Sequence, residues 1–153
     1  MASSLLAPDP PAVSGWRMPR YWPDQRRLLE QQHARLDSLL LTLVEQHAAA
    51  APMSEVLEAA EGLACRRLLW ALRLHLRLEE RWLARWAVLC PGHLANHRDV
   101  SRAALVDFQR LGGQRAGRLE VLRGLQSWFV QHQAGPDANA YALAASSASA
   151  SNG

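Results

Sequence analysis

Apolar residues recur every three or four positions along most of this chain, which is the repeat of an amphipathic α-helix. Four segments carry the repeat, at about residues 24–47, 55–89, 93–111 and 114–134. The strings AAAAPMS, CPG and LGG separate them and are typical of turns. Asp24 and Ser54 are suited to cap the first two helices. Because the connections are short, the predicted fold is all-α, an up-down-up-down antiparallel four-helix bundle.

The two ends of the chain lack this repeat. Residues 1–23 are rich in Pro, Ser and Ala and are predicted to form an N-terminal arm, which leaves residues 24–143 for the bundle. Residues 144–153 are a low-complexity tail, AASSASASNG, that is predicted to be disordered. The N-terminal residues do not resemble a signal peptide, and no apolar run approaches the roughly 20 residues of a membrane span.

The composition favours helical structure and bears on which classes of partner the protein binds. The chain has no isoleucine and a single threonine, so residues that favour strands are scarce. The formal net charge is +3, but the arginines alternate with glutamates, and we expect neither a nucleic-acid nor a membrane partner. Cys65 and Cys90 form no CxxC motif and are interpreted as reduced thiols of a cytoplasmic protein, either a monomer or a weak homo-oligomer.

Histidines lie on the apolar faces of the predicted helices. His75 and Glu79 are four residues apart, so they lie about 40° apart on the apolar face of the second segment. The opposite face of that segment is interpreted as solvated and carries a stripe of arginines, Arg73, Arg77, Arg81 and Arg85. A buried glutamate is costly unless it is paired or bound to a metal. The other three segments also carry inward histidines, His33, His93, His97 and His132.

One inward histidine is more often a hydrogen-bonded core residue than a metal ligand. Four helices that each present one are better explained by a metal site, because several unpaired imidazoles would otherwise share one small core. At about 1.5 Å per residue, His33, His75, His97 and His132 can occupy one layer. His47 lies about 21 Å along the first helix from His33 and is predicted to be a non-ligand at the end of the bundle.

Asp137 joins this set less directly. It follows His132 by five residues, which on a straight helix is about 140° away. A helix break at Gly135 and Pro136 would allow the carboxylate to swing back. An N-cap role for a last short turn is an equally good interpretation from the spacing.

The ordered pattern resembles the hemerythrin family, and most closely its bacterial single-domain members. The resemblance covers about residues 16–143 and includes the strings GWRMPRYW, EQQH, HLRLEE, CPGHLANH and WFVQHQAGPDANAY. It implies a non-haem di-iron centre, with two iron ions and an oxo or hydroxo bridge, that binds O2 reversibly for storage, transport or sensing. All seven ligand positions of the family are filled here, by His33, His75, Glu79, His93, His97, His132 and Asp137.

The resemblance also implies a role for each ligand. The first iron would be bound by three histidines, His93, His97 and His132. The second would be bound by His33 and His75 and would keep an open position for O2. Glu79 and Asp137 would bridge the two ions.

An O2 pocket is implied as well. Trp128 and Phe129 would form part of its apolar wall. Gln133 stands where the family usually has an apolar residue, and we expect it to line the same pocket, where it would bond to bound oxygen or admit water.

Two other functions fit the residues. A di-iron enzyme, such as an oxidase, a peroxidase or a nitric-oxide-handling protein, would use the same cluster. Ferritin-like oxidases, however, carry Glu-x-x-His pairs, which this chain lacks. A structural bundle, metal-free or stabilised by zinc, would use the arginine-rich faces as its partner surface. The leading prediction is therefore a binding protein and not an enzyme.

Overall fold

The structure, a computed structural model, describes residues 20–151, and every regular element among them is helical. This confirms the all-α class. The elements are α1 (Trp22–Ala48), α2 (Glu55–Arg85), α3 (Pro91–Leu111), α4 (Arg115–His132), a π-helical turn (Gln133–Asp137) and α5 (Ala138–Ala150). No helix in this part of the chain is both long enough and apolar enough to cross a membrane.

The starts of the first two helices differ in how they are capped. The prediction that Asp24 caps α1 is wrong: Tyr21 is the N-cap, without a side-chain hydrogen bond, and a proline follows in the first turn. Asp24 lies inside that turn, where its charge favours the positive end of the helix dipole. Ser54 does cap α2, since its hydroxyl accepts a hydrogen bond from the Leu57 N–H at 3.2 Å. Most of the predicted N-terminal arm, residues 1–19, lies outside the described residues.

The regular α-helix α4 ends at His132, before the predicted interruption at Gly135 and Pro136, but the chain stays helical there because a π-helical turn joins α4 to α5. Hydrogen bonds in such a turn span five residues and not four, so the turn accommodates one extra residue within the helix. Residues five apart therefore share a face. This wider turn brings Asp137 round to the side of His132, and both side chains are buried.

The C-terminal segment is helical, and the prediction of disorder is wrong for residues 144–150. Alanine has the highest helix propensity, so the low-complexity composition still supports a helix. Ala144 is fully buried, and α5 packs on α1 and α2. This packing forms an apolar cluster of Trp22, Leu29, Trp82, Leu83, Ala140, Tyr141 and Ala144.

A second, larger apolar cluster is formed by α1, α2, α3 and α4, and its buried leucines include Leu36, Leu40, Leu68, Leu72, Leu76 and Leu122. Along α1, His33 lies between a residue of the smaller cluster, Leu29, and a residue of the larger, Leu36. Along α2, Glu79 lies between Leu76 and Trp82 in the same way. A buried polar layer therefore separates the two apolar clusters.

Candidate metal centre

The seven side chains predicted to bind metal meet in this polar layer. They come from five consecutive elements, and all of them are buried, with at most 7% of each residue exposed. The residues are His33 of α1, His75 and Glu79 of α2, His93 and His97 of α3, His132 at the end of α4, and Asp137 at the end of the π-helical turn. They form two overlapping groups, and each group could hold a metal ion.

The first group contains three histidines and the two carboxylates. The Nε2 atom of His132 lies 3.1 Å from Nε2 of His93 and 2.8 Å from Nε2 of His97. Asp137 Oδ1 lies 2.9 Å from His132 Nε2 and 3.0 Å from His93 Nε2. Glu79 Oε2 lies 3.4 Å from His97 Nε2. Ligands about 2.1 Å from one metal ion and at right angles to each other are about 3 Å apart, so these donor atoms converge as metal ligands do.

The second group contains His33, His75 and Glu79. The Nε2 atom of His33 lies 3.6 Å from Glu79 Oε1 and 3.2 Å from Asp137 Oδ2. Each carboxylate thus directs one oxygen towards the three-histidine group and the other towards His33. The two carboxylates connect the two groups.

The cluster is unsatisfied without a cation. Six of its buried polar atoms form no hydrogen bond within the described part of the chain, although other donor atoms of the cluster lie close to several of them: His33 Nε2, His75 Nε2, His132 Nδ1, Glu79 Oε2, and Asp137 Oδ1 and Oδ2. Each such atom costs about 1–3 kcal/mol when it is left unpaired. No arginine of residues 20–151 forms an ion pair with either carboxylate. A metal cation would satisfy imidazole lone pairs and carboxylates together, so the donor set fits a metal.

Two of the candidate ligands are oriented by hydrogen bonds to residues outside the predicted set. His75 Nδ1 lies 2.7 Å from Gln32 Oε1, and His97 Nδ1 lies 3.1 Å from Glu80 Oε1. Because both oxygens accept, each Nδ1 carries the proton and each Nε2 keeps its lone pair for a metal. Gln32 and Glu80 each stand beside a predicted ligand in the chain, which is the only sequence signal for them.

Burial keeps two imidazoles neutral. It lowers the pKa of His75 to about 3, and the neighbouring imidazole of His33 adds to the effect. Burial likewise lowers the pKa of His97 to about 3, with further lowering from His132. Both side chains are therefore uncharged at pH 7, as metal ligation requires.

The two carboxylates are affected in opposite directions. Burial, followed by the charge of Asp137, raises the pKa of Glu79 well above its usual range. Tyr141 donates a hydrogen bond to Glu79 Oε1, and burial together with that carboxylate raises the pKa of the tyrosine hydroxyl. Burial alone would also raise the pKa of Asp137, but the facing imidazoles of His132, His33 and His93 lower it. Glu79 therefore binds a proton more tightly than an exposed glutamate does, and a bound cation would compete with that proton.

Phe129 lies at the two-histidine group. Its ring centre is 5.6 Å from that of His33 and 6.2 Å from that of His75, and the residue is 1% exposed. A cavity of about 420 Å³ between α1 and α2 also reaches His75, and leucine and alanine side chains form much of its wall.

Trp128 and Gln133 lie elsewhere around the centre. The Trp128 ring stacks on His132 of the three-histidine group, with ring centres 4.5 Å apart, and its Nε1–H donates to Asn96 Oδ1 at 3.2 Å. The Gln133 Nε2 donates to both carboxylate oxygens of Asp37 in α1, at 3.1 Å each. The Gln133 amide group is therefore hydrogen-bonded to the Asp37 carboxylate.

A second buried polar cluster lies near the last turn of α1, where His47 is 4% exposed. Arg118 Nη2 lies 2.7 Å from Glu61 Oε2, and Arg118 Nε donates to His47 Nε2 at 3.3 Å. The other nitrogen of His47, Nδ1, donates to the Leu43 carbonyl at 2.7 Å. Cys65, a free thiol, lies 3.8 Å from His47, and burial raises the pKa of this thiol to about 11. His47 belongs to neither of the groups that could hold a metal.

Comparison with known proteins finds no relative of this chain. No protein-family model, curated protein or solved structure matches the chain. The site is therefore defined by its own residues and their geometry, and the hemerythrin resemblance stays a prediction.

Proposed function

We propose that this protein binds O2 reversibly at a non-haem di-iron centre with an oxo or hydroxo bridge. One observation carries the proposal: five imidazoles and two carboxylates are buried in two groups that share Glu79, and Asp137 of the first group also lies 3.2 Å from His33 of the second. Imidazole binds iron well, and bridging carboxylates offset the charge of two cations. A histidine-rich set also differs from the carboxylate-rich sites of ferritin-like oxidases, which favours binding over oxidation.

In this proposal the two groups have different tasks. His93, His97 and His132 would hold one iron, and His33 and His75 would hold the other, where O2 would bind. The iron pair would supply the electrons that O2 takes up and returns. Phe129 excludes water beside that position, and the cavity that reaches His75 gives a small apolar molecule a path to it. Gln32 and Tyr141 hold His75 and Glu79 in place.

We also propose that α1 to α4 form an up-down-up-down antiparallel bundle. Each of these helices packs on the next along the chain, and α1 packs on α4 as well. The connections between them are short, which favours antiparallel neighbours. Such a bundle places a ligand from each helix in one layer.

Iron content and visible absorption test the function directly. The reduced protein is measured before and after O2 is added, and again after deoxygenation. We expect about two iron ions per chain and charge-transfer bands that appear with O2 and vanish without it. The variant His33→Ala should lose the O2-dependent bands, and the matched control His47→Ala should keep them.

Three outcomes would contradict the proposal. A chain that binds no iron after anaerobic reconstitution is not a di-iron protein. Bands that persist after deoxygenation, together with turnover of peroxide or nitric oxide, indicate a di-iron enzyme. Normal O2 binding by His33→Ala would mean that O2 does not bind at the two-histidine group.

A further inference from the structure

A groove outside the metal centre runs between α2 and α3 and has a volume of about 510 Å³. Four arginines line it, Arg73 and Arg77 from α2 and Arg98 and Arg102 from α3. Two members of the predicted solvated stripe of α2 therefore face a groove and not only open solvent. The one carboxylate in the lining is that of Glu80.

The protein offsets the positive charge of this groove only in part, through Glu80. None of the four guanidinium groups forms an ion pair within residues 20–151, whereas Arg26, Arg110, Arg115 and Arg118 do. The Glu80 carboxylate already accepts a hydrogen bond from His97. Like charges four residues apart on a helix repel each other, and each helix carries one such pair here. Binding an anion would relieve this repulsion.

The arginines are arranged at two levels. Arg77 and Arg98 lie at the level of Glu80, since Arg77 precedes Glu80 by three residues on α2 and Arg98 follows His97, whose Nδ1 lies 3.1 Å from Glu80 Oε1. Arg73 and Arg102 are each one turn away on their helices. In the antiparallel bundle proposed above, those turns run in the same direction. The second pair then lies about 6 Å further along the groove.

We propose that this groove binds a small organic anion that carries two phosphate or carboxylate groups. Guanidinium groups bind both chemistries through paired hydrogen bonds, and one arginine from each helix is available for each anionic group. The volume is in the range of small-molecule sites. Leu76 and Leu105 supply apolar lining for the carbon skeleton that connects the two groups.

This site is distinct from the metal centre but adjacent to it. His97 lines the groove through its bond to Glu80 and is also a member of the three-histidine group. A test must therefore use probes that do not extract the metal, and must record the metal content before and after titration.

Calorimetric titration of the full chain tests the proposal with three probes: inorganic phosphate, succinate and fructose 1,6-bisphosphate. We expect one site per chain and at least tenfold tighter binding of a doubly anionic probe than of phosphate. The double variant Arg73→Gln/Arg102→Gln should weaken that binding at least tenfold. Its matched control is Arg27→Gln/Arg123→Gln, which removes two exposed arginines outside the groove and should change the dissociation constant less than twofold.

The probes also separate the sources of the anionic groups, since a preference for succinate identifies a dicarboxylate and a preference for the sugar bisphosphate a bisphosphate. Thermal unfolding confirms that the variants fold, and the single variants Arg73→Gln and Arg102→Gln replace the pair if it does not. Equal weakening by both double variants would overturn the proposal, because it would indicate only general charge attraction. Binding of a single-stranded oligonucleotide in preference to all three probes would overturn it too.

Discussion

Both buried polar clusters of this protein contain histidine and carboxylate side chains, but they balance the carboxylate charge differently. In the cluster near the end of α1, the side chain of Arg118 is 3% exposed and lies 2.7 Å from Glu61, so the protein supplies its own cation. In the other, Glu79 and Asp137 lie among imidazoles and have no arginine partner within the described residues. Buried histidines and carboxylates are therefore not in themselves a sign of function.

The resident cation makes the difference. Burial of a carboxylate is costly, and a cluster that contains its own arginine is complete when the chain folds. A cluster without one is complete only when a cation arrives from solution. The arginine-paired cluster is thus interpreted as structural and the unpaired one as a metal site.

The largest effect is expected from removal of the resident cation. Arg118→Met leaves Glu61 buried with only Arg115, at 2.9 Å, as a charged partner. We expect the free energy of unfolding in urea to fall by about 3 kcal/mol, while metal content per folded chain is unchanged. Adding Glu61→Gln to this variant should recover part of the loss. A loss below about 1 kcal/mol would mean that the arginine is not what balances this cluster.

The same substitution made in both clusters should have opposite effects. Glu79→Gln removes a buried charge that has no cation in metal-free protein, so it should raise the free energy of unfolding by about 2 kcal/mol. Unfolding is measured at a series of pH values, because the pKa of Glu79 is raised and the gain should grow with pH as this carboxyl group loses its proton. Glu61→Gln should lower the free energy of unfolding by about 2 kcal/mol, because it weakens the charged hydrogen bond to Arg118. Effects of equal sign would remove the distinction between the clusters.

A smaller effect is expected from the residues that orient the ligands. Gln32→Ala removes the acceptor for His75 Nδ1 and should weaken metal binding about 10- to 100-fold in competition with a chelator. The matched control is Gln31→Ala, an exposed neighbour in α1. Equal affinity in the two variants would mean that Gln32 does not orient the ligand.

The last effect is confined to acid pH and concerns the metal-free protein. The pKa of His75 is lowered from 6.5 to about 3 on folding, so between these values the unfolded chain binds more protons and acid destabilises the folded state. His75→Gln should flatten the dependence of unfolding free energy on pH in that window. The change is up to about one proton, or about 1.4 kcal/mol per pH unit. Urea unfolding at a series of pH values measures it, and parallel curves for wild type and variant would contradict the assignment.

Periodicity was enough to predict the four long helices and which of their histidines turn inward. The regular α-helical repeat fixes which side chains lie on the same face of a helix, so the spacing of apolar residues also shows which histidines share that face. Periodicity could not predict the position of Asp137, because the turn that contains this residue is not α-helical. Local rules predict a break at Gly-Pro, whereas packing of α5 and the bond from Tyr141 to Glu79 favour a continuous helix.

The hydrogen bonds of Gln32 and Glu80 could not be predicted from the sequence for a different reason. Each bonds a ligand on a neighbouring helix, and such a partnership depends on distance in space and not on spacing along the chain. The disordered tail was predicted from composition, but Ala144 shows that small residues can also allow a helix to pack closely. The choice between these outcomes depends on the surface against which the tail can pack.

The π-helical turn gives the chain two phases within one continuous helix. In α4 the buried residues recur every three or four positions, and this spacing would place the next buried residue at position 135 or 136. After the turn the same spacing resumes one residue later along the chain. The buried residues there are Asp137, Ala140, Tyr141 and Ala144. Deleting one residue here would leave composition and helicity almost unchanged. It would nevertheless rotate the last ligand, the tyrosine that holds Glu79 and the packing face of α5 out of alignment at the same time.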